Sequence, residues 1–412
     1  MSSRFLSTLS RSEFARLFHQ FESTPDELIS FAEAHERILA EDLTAQEDLP
    51  AADRSSMDGY AVAAADTFGA GEANPAYLEC RYRIEVNVFP QFGLQPGECA
   101  WIPTGGFLPA GADCVVMVEH TQEIGDGTIE VRRSLAPGEN LMFRGEDARR
   151  GAVVLTRGTR LRIPEIGLLA ALGLQQVRVH RRPRIAVLST GDEIVPVEAQ
   201  PRPGEMRDVN SHAVAAMIVQ AGGQVEQLGI VNDDLEQLRG ALERGLANND
   251  ALFLSGGSSK GTRDHTLDAI AQLPGARILA HGVAMAPGKP TILACVGDKP
   301  ILGLPGQVGS AQVVMLVLGQ PLVRHLAGDS RALDTSHRSL RRARLTRNLT
   351  SSQGREDYLR VRLEESAGGL LAHPVSGKSG LLRTLLHSDG LLPIAADTEG
   401  LPEGCWVDVW LL

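Results

Sequence analysis

Ala251-Leu252-Phe253-Leu254-Ser255-Gly256-Gly257-Ser258-Ser259-Lys260-Gly261 is a short apolar run that stops at a serine and passes into a loop rich in glycine and hydroxyls. Four apolar residues ending on turn residues read as a strand buried on both faces. In the loop, glycines let backbone N–H groups approach an anion closely, and Ser255, Ser258 and Ser259 add donors. A helix that follows offers its N-terminus as well. Phosphate is the expected guest; a tight turn with serine caps is the alternative these residues leave open.

The segments upstream complete a pattern. The spacing predicts strands over 184–188, 225–231 and 251–254, with helices over 211–220 and 235–247 between them. Such a βαβαβ alternation implies a parallel sheet covered by helices. Ligands of open sheets sit beyond the carboxyl ends of the strands, which singles out three loops: Ser189-Thr190-Gly191-Asp192-Glu193, the loop from Ser255 to Asp264, and Gly303-Leu304-Pro305-Gly306-Gln307. Asp264 either holds a divalent cation against a phosphate or caps the helix containing Leu267 and Ile270. His265 reads as a helix-start residue. Asp192, Glu193 and Asp208 bring further carboxylates, Asp208 being equally a helix-start residue. Lys289, in Pro287-Gly288-Lys289-Pro290, is either a point charge aimed at an oxyanion or a surface-turn lysine.

Elsewhere the pattern changes. Residues 12–42 read as helix, with Phe14, Leu17, Phe18 and Phe21 on one stripe and Leu28, Phe31, Ala32 and Ile38 on another after Pro25. From 49 to 143 the chain shows short β-like runs, such as 98–102 and 114–118, separated by Gly and Pro turns. Residues 166–172 suit a helix ended by Gly173. Strands at 358–363, 370–374, 391–394 and 406–410 point to a small C-terminal β-barrel or sandwich. Arg54-Ser55-Ser56-Met57-Asp58-Gly59-Tyr60-Ala61 and Thr104-Gly105-Gly106 are polar and glycine-rich without being hairpin turns, so they stand as candidates only.

Composition removes several classes of function. The 412 residues carry 40 Lys+Arg against 51 Asp+Glu, a formal charge of -11, which disfavours a general grip on nucleic acid or an anionic membrane. Five cysteines without C-x-x-C spacing argue against a disulfide framework and a cysteine zinc site, and favour a reducing compartment. The most apolar stretch, 313–318, is cut by Gly319, Gln320 and Pro321, far short of the ~20 residues of a membrane span. With no signal-peptide pattern at the start, the expected location is cytoplasmic. No H-E-x-x-H, G-x-S-x-G or P-loop motif occurs.

Together these segments resemble the molybdopterin molybdenumtransferase family, of the MoeA and gephyrin E-domain type. The resemblance covers nearly the whole chain. It rests on Arg54 to Ala61, Thr104-Gly105-Gly106, Gly111 to Glu119, Gly145-Glu146-Asp147, Ser189 to Glu193, Asp208-Val209-Asn210-Ser211, Ser255-Gly256-Gly257, Pro287-Gly288-Lys289-Pro290, Gly303-Leu304-Pro305-Gly306, Tyr358-Leu359-Arg360-Val361 and Ser379-Gly380-Leu381-Leu382. Each is weak alone; their order is specific. The resemblance implies an elongated α/β and β multidomain chain: a helical and β linker domain at 8–48 plus 144–178, a β-rich inserted domain at 49–143, a MogA-like α/β molybdopterin-binding domain at 179–328 and a C-terminal β-barrel at 329–412. It also implies a homodimer in which the β-rich domain of one subunit faces the α/β domain of the other.

The implied activity belongs to molybdenum cofactor biosynthesis. It is a Mg²⁺-dependent insertion of molybdate into adenylylated molybdopterin, with release of AMP. Carried over motif by motif, the catalytic candidates are Asp58, Thr104, Glu193, Asp264 and Lys289. Glu193 and Asp264 would hold Mg²⁺ or order the attacking water. Ser255, Gly256, Gly257, Ser259, Lys260, Gly288, Pro305 and Gly306 would bind the pterin nucleotide, with Asp58 and Thr104 facing the pterin or oxyanion side. The upstream adenylyltransferase and the acceptor molybdoenzymes are the implied protein partners.

Three departures from the family pattern stand out: Ala286 where a lysine is common, Lys260 where an apolar residue is usual, and Gln307-Val308-Gly309-Ser310 in place of Asn-Pro-Val-Ser. Two other functions compete. A molybdopterin adenylyltransferase of the MogA type resembles the α/β block alone, and a non-catalytic pterin-binding scaffold would tolerate the altered loops.

Overall fold

The computed structural model describes residues 8–256, 265–378 and 380–412. Among them the chain forms two compact units, one comprising 1–41, 157–162 and 176–412, the other 42–156 and 163–175. Gly257, Ser259, Lys260, Asp264 and Ser379 lie outside the described residues.

The first unit is built on a six-stranded sheet in the order Gln224–Val231, Arg184–Thr190, Ala251–Ser255, Lys299–Leu304, Ile292–Val296, Ala276–His281. Its first four strands are parallel. The last two pairings are antiparallel, so the sheet is mixed where the βαβαβ pattern alone implies a parallel one. Successive residues of a strand point to opposite faces. Ile185, Val187, Ala251 and Phe253 accordingly enter one core, with Phe14, Phe18 and the helices Asn210–Gln220 and Gln320–Leu326. Ala186, Leu188, Leu252 and Leu254 enter another, under Leu235–Asn248 and His265–Ala271. Burial on both faces is why these strands read as unbroken apolar runs.

The helix expected over 12–42 is much shorter. Arg11–Arg16 is helical, started by a capping box between Ser10 and Glu13, and a 3₁₀ turn follows at Leu17–Gln20. Beyond Pro25, Asp26–Ser30 is a strand paired antiparallel with Gln176–His180. Its burial alternates residue by residue, and Leu28, expected on a buried stripe, is 53% exposed. Here long-range pairing overrides a local period that only sparse apolar residues support.

The C-terminal strands close into a barrel. Glu356–Ser366 pairs with Gly369–Pro374, then follow Leu340–Leu345, Trp406–Leu411 and Gly390–Ile394, which pairs back with Glu356–Ser366. Met285–Ala286 adds to Glu356–Ser366 in parallel, joining the chain of the α/β block to the barrel just before Pro287.

The second unit holds another six-stranded sheet, ordered Cys114–Met117, Gly59–Val62, Glu98–Ile102, Ala76–Arg83, Thr128–Val131, Thr121–Gly125. Tyr60, Val62, Leu78, Cys99, Val116 and Ile129 form one of its cores. The helix expected to end at Gly173 runs over Ile163–Ala171. No helix of the described residues is long and apolar enough to cross a membrane.

Candidate functional site

The register of the parallel strands brings three loop starts side by side. Ser189 pairs with Ser255, and Ser255 with Leu304. The Ser189 hydroxyl donates to Asp208 Oδ1 at 2.9 Å and lies 3.3 Å from the Ser255 hydroxyl. Asp208 is 6% exposed and also accepts the Ser211 N–H at 3.1 Å, so it serves the helix start and ties two loops together. Close approach fixes Gly256: at φ +114°, a Cβ there would lie 2.0 Å from the Thr190 carbonyl oxygen. Gly306 reaches the same point, because a Cβ on it would sit 3.7 Å from Gly256 Cα. Pro305 follows directly from strand Lys299–Leu304 into this turn.

Around this junction stand polar groups. The Glu193 carboxylate is exposed and folds back over Gly191, while the Glu193 backbone carbonyl accepts from Met206 N–H at 2.8 Å. Asp192 Oδ1 accepts the Asp233 N–H at 3.0 Å, and Thr190 donates its hydroxyl to Asp233 Oδ1 at 2.7 Å. Asn210 donates to the Gly306 carbonyl at 2.9 Å, and its Oδ1 is buried without a hydrogen-bond partner among the described residues. Asp233 belongs to a fourth loop, after strand Gln224–Val231, and only its position at the sheet's carboxyl end signals it. No three His, Cys, Asp or Glu residues converge as a metal-binding group among the described residues.

Lys289 is exposed on a firmly held turn. Its carbonyl accepts from Val283 N–H at 2.9 Å, and the Gly288 carbonyl accepts both the N–H and the hydroxyl of Thr291, at 3.1 and 2.7 Å. The turn leaves Ala286, which pairs with Asp357 on the barrel strand that also carries Arg360. Arg360 is 8% exposed; it donates to the Thr384 hydroxyl at 2.8 Å and the Gly377 carbonyl at 3.2 Å, and burial lowers its pKa. Its Nε has no partner among the described residues. Arg360 is therefore a candidate that its place inside a motif alone does not single out.

In the second unit, Asp58 and Thr104 meet as their spacing cannot reveal. The Thr104 N–H donates to Asp58 Oδ1 at 2.6 Å, and both residues are exposed. Ser55 holds the glycine turn from beneath, through Ser55 N–H to the Gly106 carbonyl at 2.9 Å and Gly105 N–H to the Ser55 carbonyl at 2.8 Å. The Thr104 backbone N–H, then its hydroxyl, hold the Asp58 carboxyl below its ordinary range. A depressed folded-state pKa means that the contact contributes fully above the unfolded carboxyl pKa and is lost as pH falls through the lowered folded value. The Thr104 amide NMR signal should therefore titrate with a midpoint below the ordinary aspartate value. Movement centred on the ordinary value would show that the contact does not form.

Comparison with known proteins fits this geometry. Residues 9–173 match the MoeA N-terminal region (domain I and II), 186–325 a probable molybdopterin binding domain, and 342–412 the MoeA C-terminal region (domain IV). A molybdopterin molybdenumtransferase of Bacillus subtilis is 32% identical over 401 residues, covering 96% of this chain and 92% of its own. The chain belongs to the molybdopterin molybdenumtransferase family. Molybdopterin molybdenumtransferase 2 of Mycobacterium tuberculosis is 34% identical over 387 residues, covering 93% and 94%. A crystal structure of a molybdopterin biosynthesis MoeA protein from Pyrococcus horikoshii, 33% identical, superposes with a TM-score of 0.72 over 98% of this chain and 99% of that one. A second structure from that organism, 27% identical, reaches 0.80 over 98% and 100%. As an enzyme of this family, the chain has the multidomain α/β and β fold with a C-terminal barrel that its sequence implies.

Proposed function

We propose that this enzyme inserts molybdate into adenylylated molybdopterin with release of AMP, in a Mg²⁺-dependent reaction, working in the cytoplasm as a homodimer. The observation that carries this reading is the junction of Ser189, Ser255 and Gly306 at the carboxyl ends of parallel strands, ringed by carboxylates. Such a junction suits a phosphate with an accompanying cation.

In this reading Ser255 and Gly256 begin the cradle that Gly257, Ser259 and Lys260 continue, while Gly288, Pro305 and Gly306 shape its wall. Lys289 offsets phosphate charge as the leaving AMP forms. Glu193 and Asp264 are the proposed Mg²⁺ residues. Carboxylate and amide oxygens are the donor types a hard cation takes; Glu193 presents an exposed carboxylate, and Asn210 Oδ1 is a buried acceptor without a partner among the described residues. When bound, Mg²⁺ supplies charge neutralisation at the phosphoanhydride. Asp58, held ionised by Thr104, faces the pterin or oxyanion side.

Two incubations separate the alternatives. AMP release from preformed adenylylated molybdopterin plus molybdate supports the insertion reaction. Accumulation of adenylate from molybdopterin, ATP and Mg²⁺ would instead mark an adenylyltransferase, and binding of pterin without either reaction a scaffold. Asp58→Ala and Glu193→Ala are each expected to slow AMP release at least about 10-fold, and a variant that keeps the normal rate removes that residue from the scheme.

A further inference from the structure

The opposite end of the same sheet carries a second concentration of charge that the proposed reaction does not use. A cavity of about 190 Å³ lies where strands Arg184–Thr190 and Gln224–Val231 begin. Its charged lining is Arg37, Arg160, Arg182 and Arg324 with Glu36 and Asp329. Four guanidinium groups thus stand with two lining carboxylates and with Glu27, the partner of Arg37, in a chain whose overall charge is -11.

The pairing leaves donors over. Asp329 is taken by Arg324, at 2.8 Å from Nε and 2.6 Å from Nη2. Glu36 is taken by Arg160. Arg37, 9% exposed, pairs with Glu27 and donates to the His180 carbonyl at 2.9 Å. Arg182 is half-buried and has no carboxylate partner among the described residues. Helices Asn210–Gln220 and Gln320–Leu326 both end at this cavity, and part of the arginine charge offsets their negative ends. Burial and then the neighbouring Arg324 push the Arg160 pKa down, as expected where like charges crowd.

We propose that this cavity binds a small free oxyanion dianion, the class that includes phosphate, sulfate and molybdate. Each guanidinium presents N–H groups in a planar fork that matches such oxygens, and the excess of arginine over carboxylate supplies the charge. At roughly 30 Å³ per water, the volume holds one tetrahedral anion with a few waters. The seven-residue strand Arg184–Thr190 spans about 20 Å from this cavity to the junction at Ser189 and Ser255, so one anion cannot serve both places.

Calorimetric titration of the full chain with inorganic phosphate, sulfate, molybdate and AMP, at ionic strength held constant with chloride, tests the site. The inorganic dianions should bind the wild type, and Arg182→Gln should weaken them about 10-fold or more, the loss of one charge-assisted hydrogen bond. Arg160→Gln, judged beside its thermal midpoint, should do the same. Arg362→Gln, an exposed arginine on barrel strand Glu356–Ser366 outside this lining, should leave this binding unchanged. Heats no larger than the chloride control, binding unaffected by either cavity arginine variant, an equal loss of binding in Arg362→Gln, or binding of AMP alone would each overturn the proposal.

Discussion

Lys289→Ala should lower the rate of AMP release by about 100-fold or more, the scale seen when one preorganised donor to a developing oxyanion is removed. The turn that carries Lys289 is held by main-chain bonds from Val283 and Thr291 rather than by the lysine side chain. The side chain is exposed, so its truncation should leave the thermal midpoint almost unmoved, as most surface substitutions do. Stability and turnover therefore separate cleanly in this variant. The loss should fall mainly on kcat, because the charge that Lys289 meets grows as the phosphoanhydride breaks. Arginine at the same place should restore part of the rate, since it keeps the charge but changes the shape of the donor. Normal kcat in Lys289→Ala would assign the residue to the surface turn that its sequence equally allows.

Gly59→Ala should be strongly destabilising. Gly59 stands in a strand paired on both sides, and an added Cβ would lie 1.9 Å from the Val116 carbonyl oxygen and 2.8 Å from the Val116 carbonyl carbon. Backbone atoms cannot turn aside as a flexible side chain does. The strand must move away from Cys114–Met117, at an expected cost of about 3 kcal/mol or more. Asp58 precedes this glycine and its carbonyl accepts the Val118 N–H at 3.1 Å, so the same shift should pull the carboxylate off Thr104. Chemical denaturation and the Thr104 amide signal should report both losses together. Gly167→Ala is the matched control: it lies in helix Ile163–Ala171 of the same unit with nothing within 4 Å of the added carbon, and should be neutral or slightly stabilising. Equal stability of the two variants would mean that the strands are not this close.

The central α/β strands are legible in the sequence as apolar runs bounded by turn residues, and 184–188 and 251–254 fall within observed strands. The loops that matter follow from the rule about carboxyl ends, which needs direction but no distances. What the sequence hides is set by pairing between remote segments. Asp26–Ser30 is a strand only because Gln176–His180 lies beside it. Ile292–Val296 is as apolar as its parallel neighbours, and nothing in that composition tells that it runs the other way. Among site residues, Asp58 and Thr104 are 46 positions apart and meet through a hydrogen bond that no local pattern encodes. Asp233 escapes notice because Asn232-Asp233-Asp234 resembles an ordinary helix start, and Asp234 does cap the helix that follows. Arg360 looks like an alternating strand residue until its burial and its unbonded Nε appear.

The double-sided burial of the sheet bears on how this chain can change over generations. Deleting one residue from Arg184–Thr190 would exchange the side chains sent to its two cores, putting Ala186 and Leu188 where Ile185 and Val187 belong and the reverse. One lesion would thus become two packing failures, so strand lengths are frozen in a way that loop sequences are not. The proposed chemistry sits where the frame constrains the chain less: Gly306 and Gln307 are exposed, while Leu302 and Leu304, a few residues back, remain locked in the core. Variation in what the enzyme accepts is therefore expected to accumulate at strand ends, with the sheet itself left as fixed infrastructure.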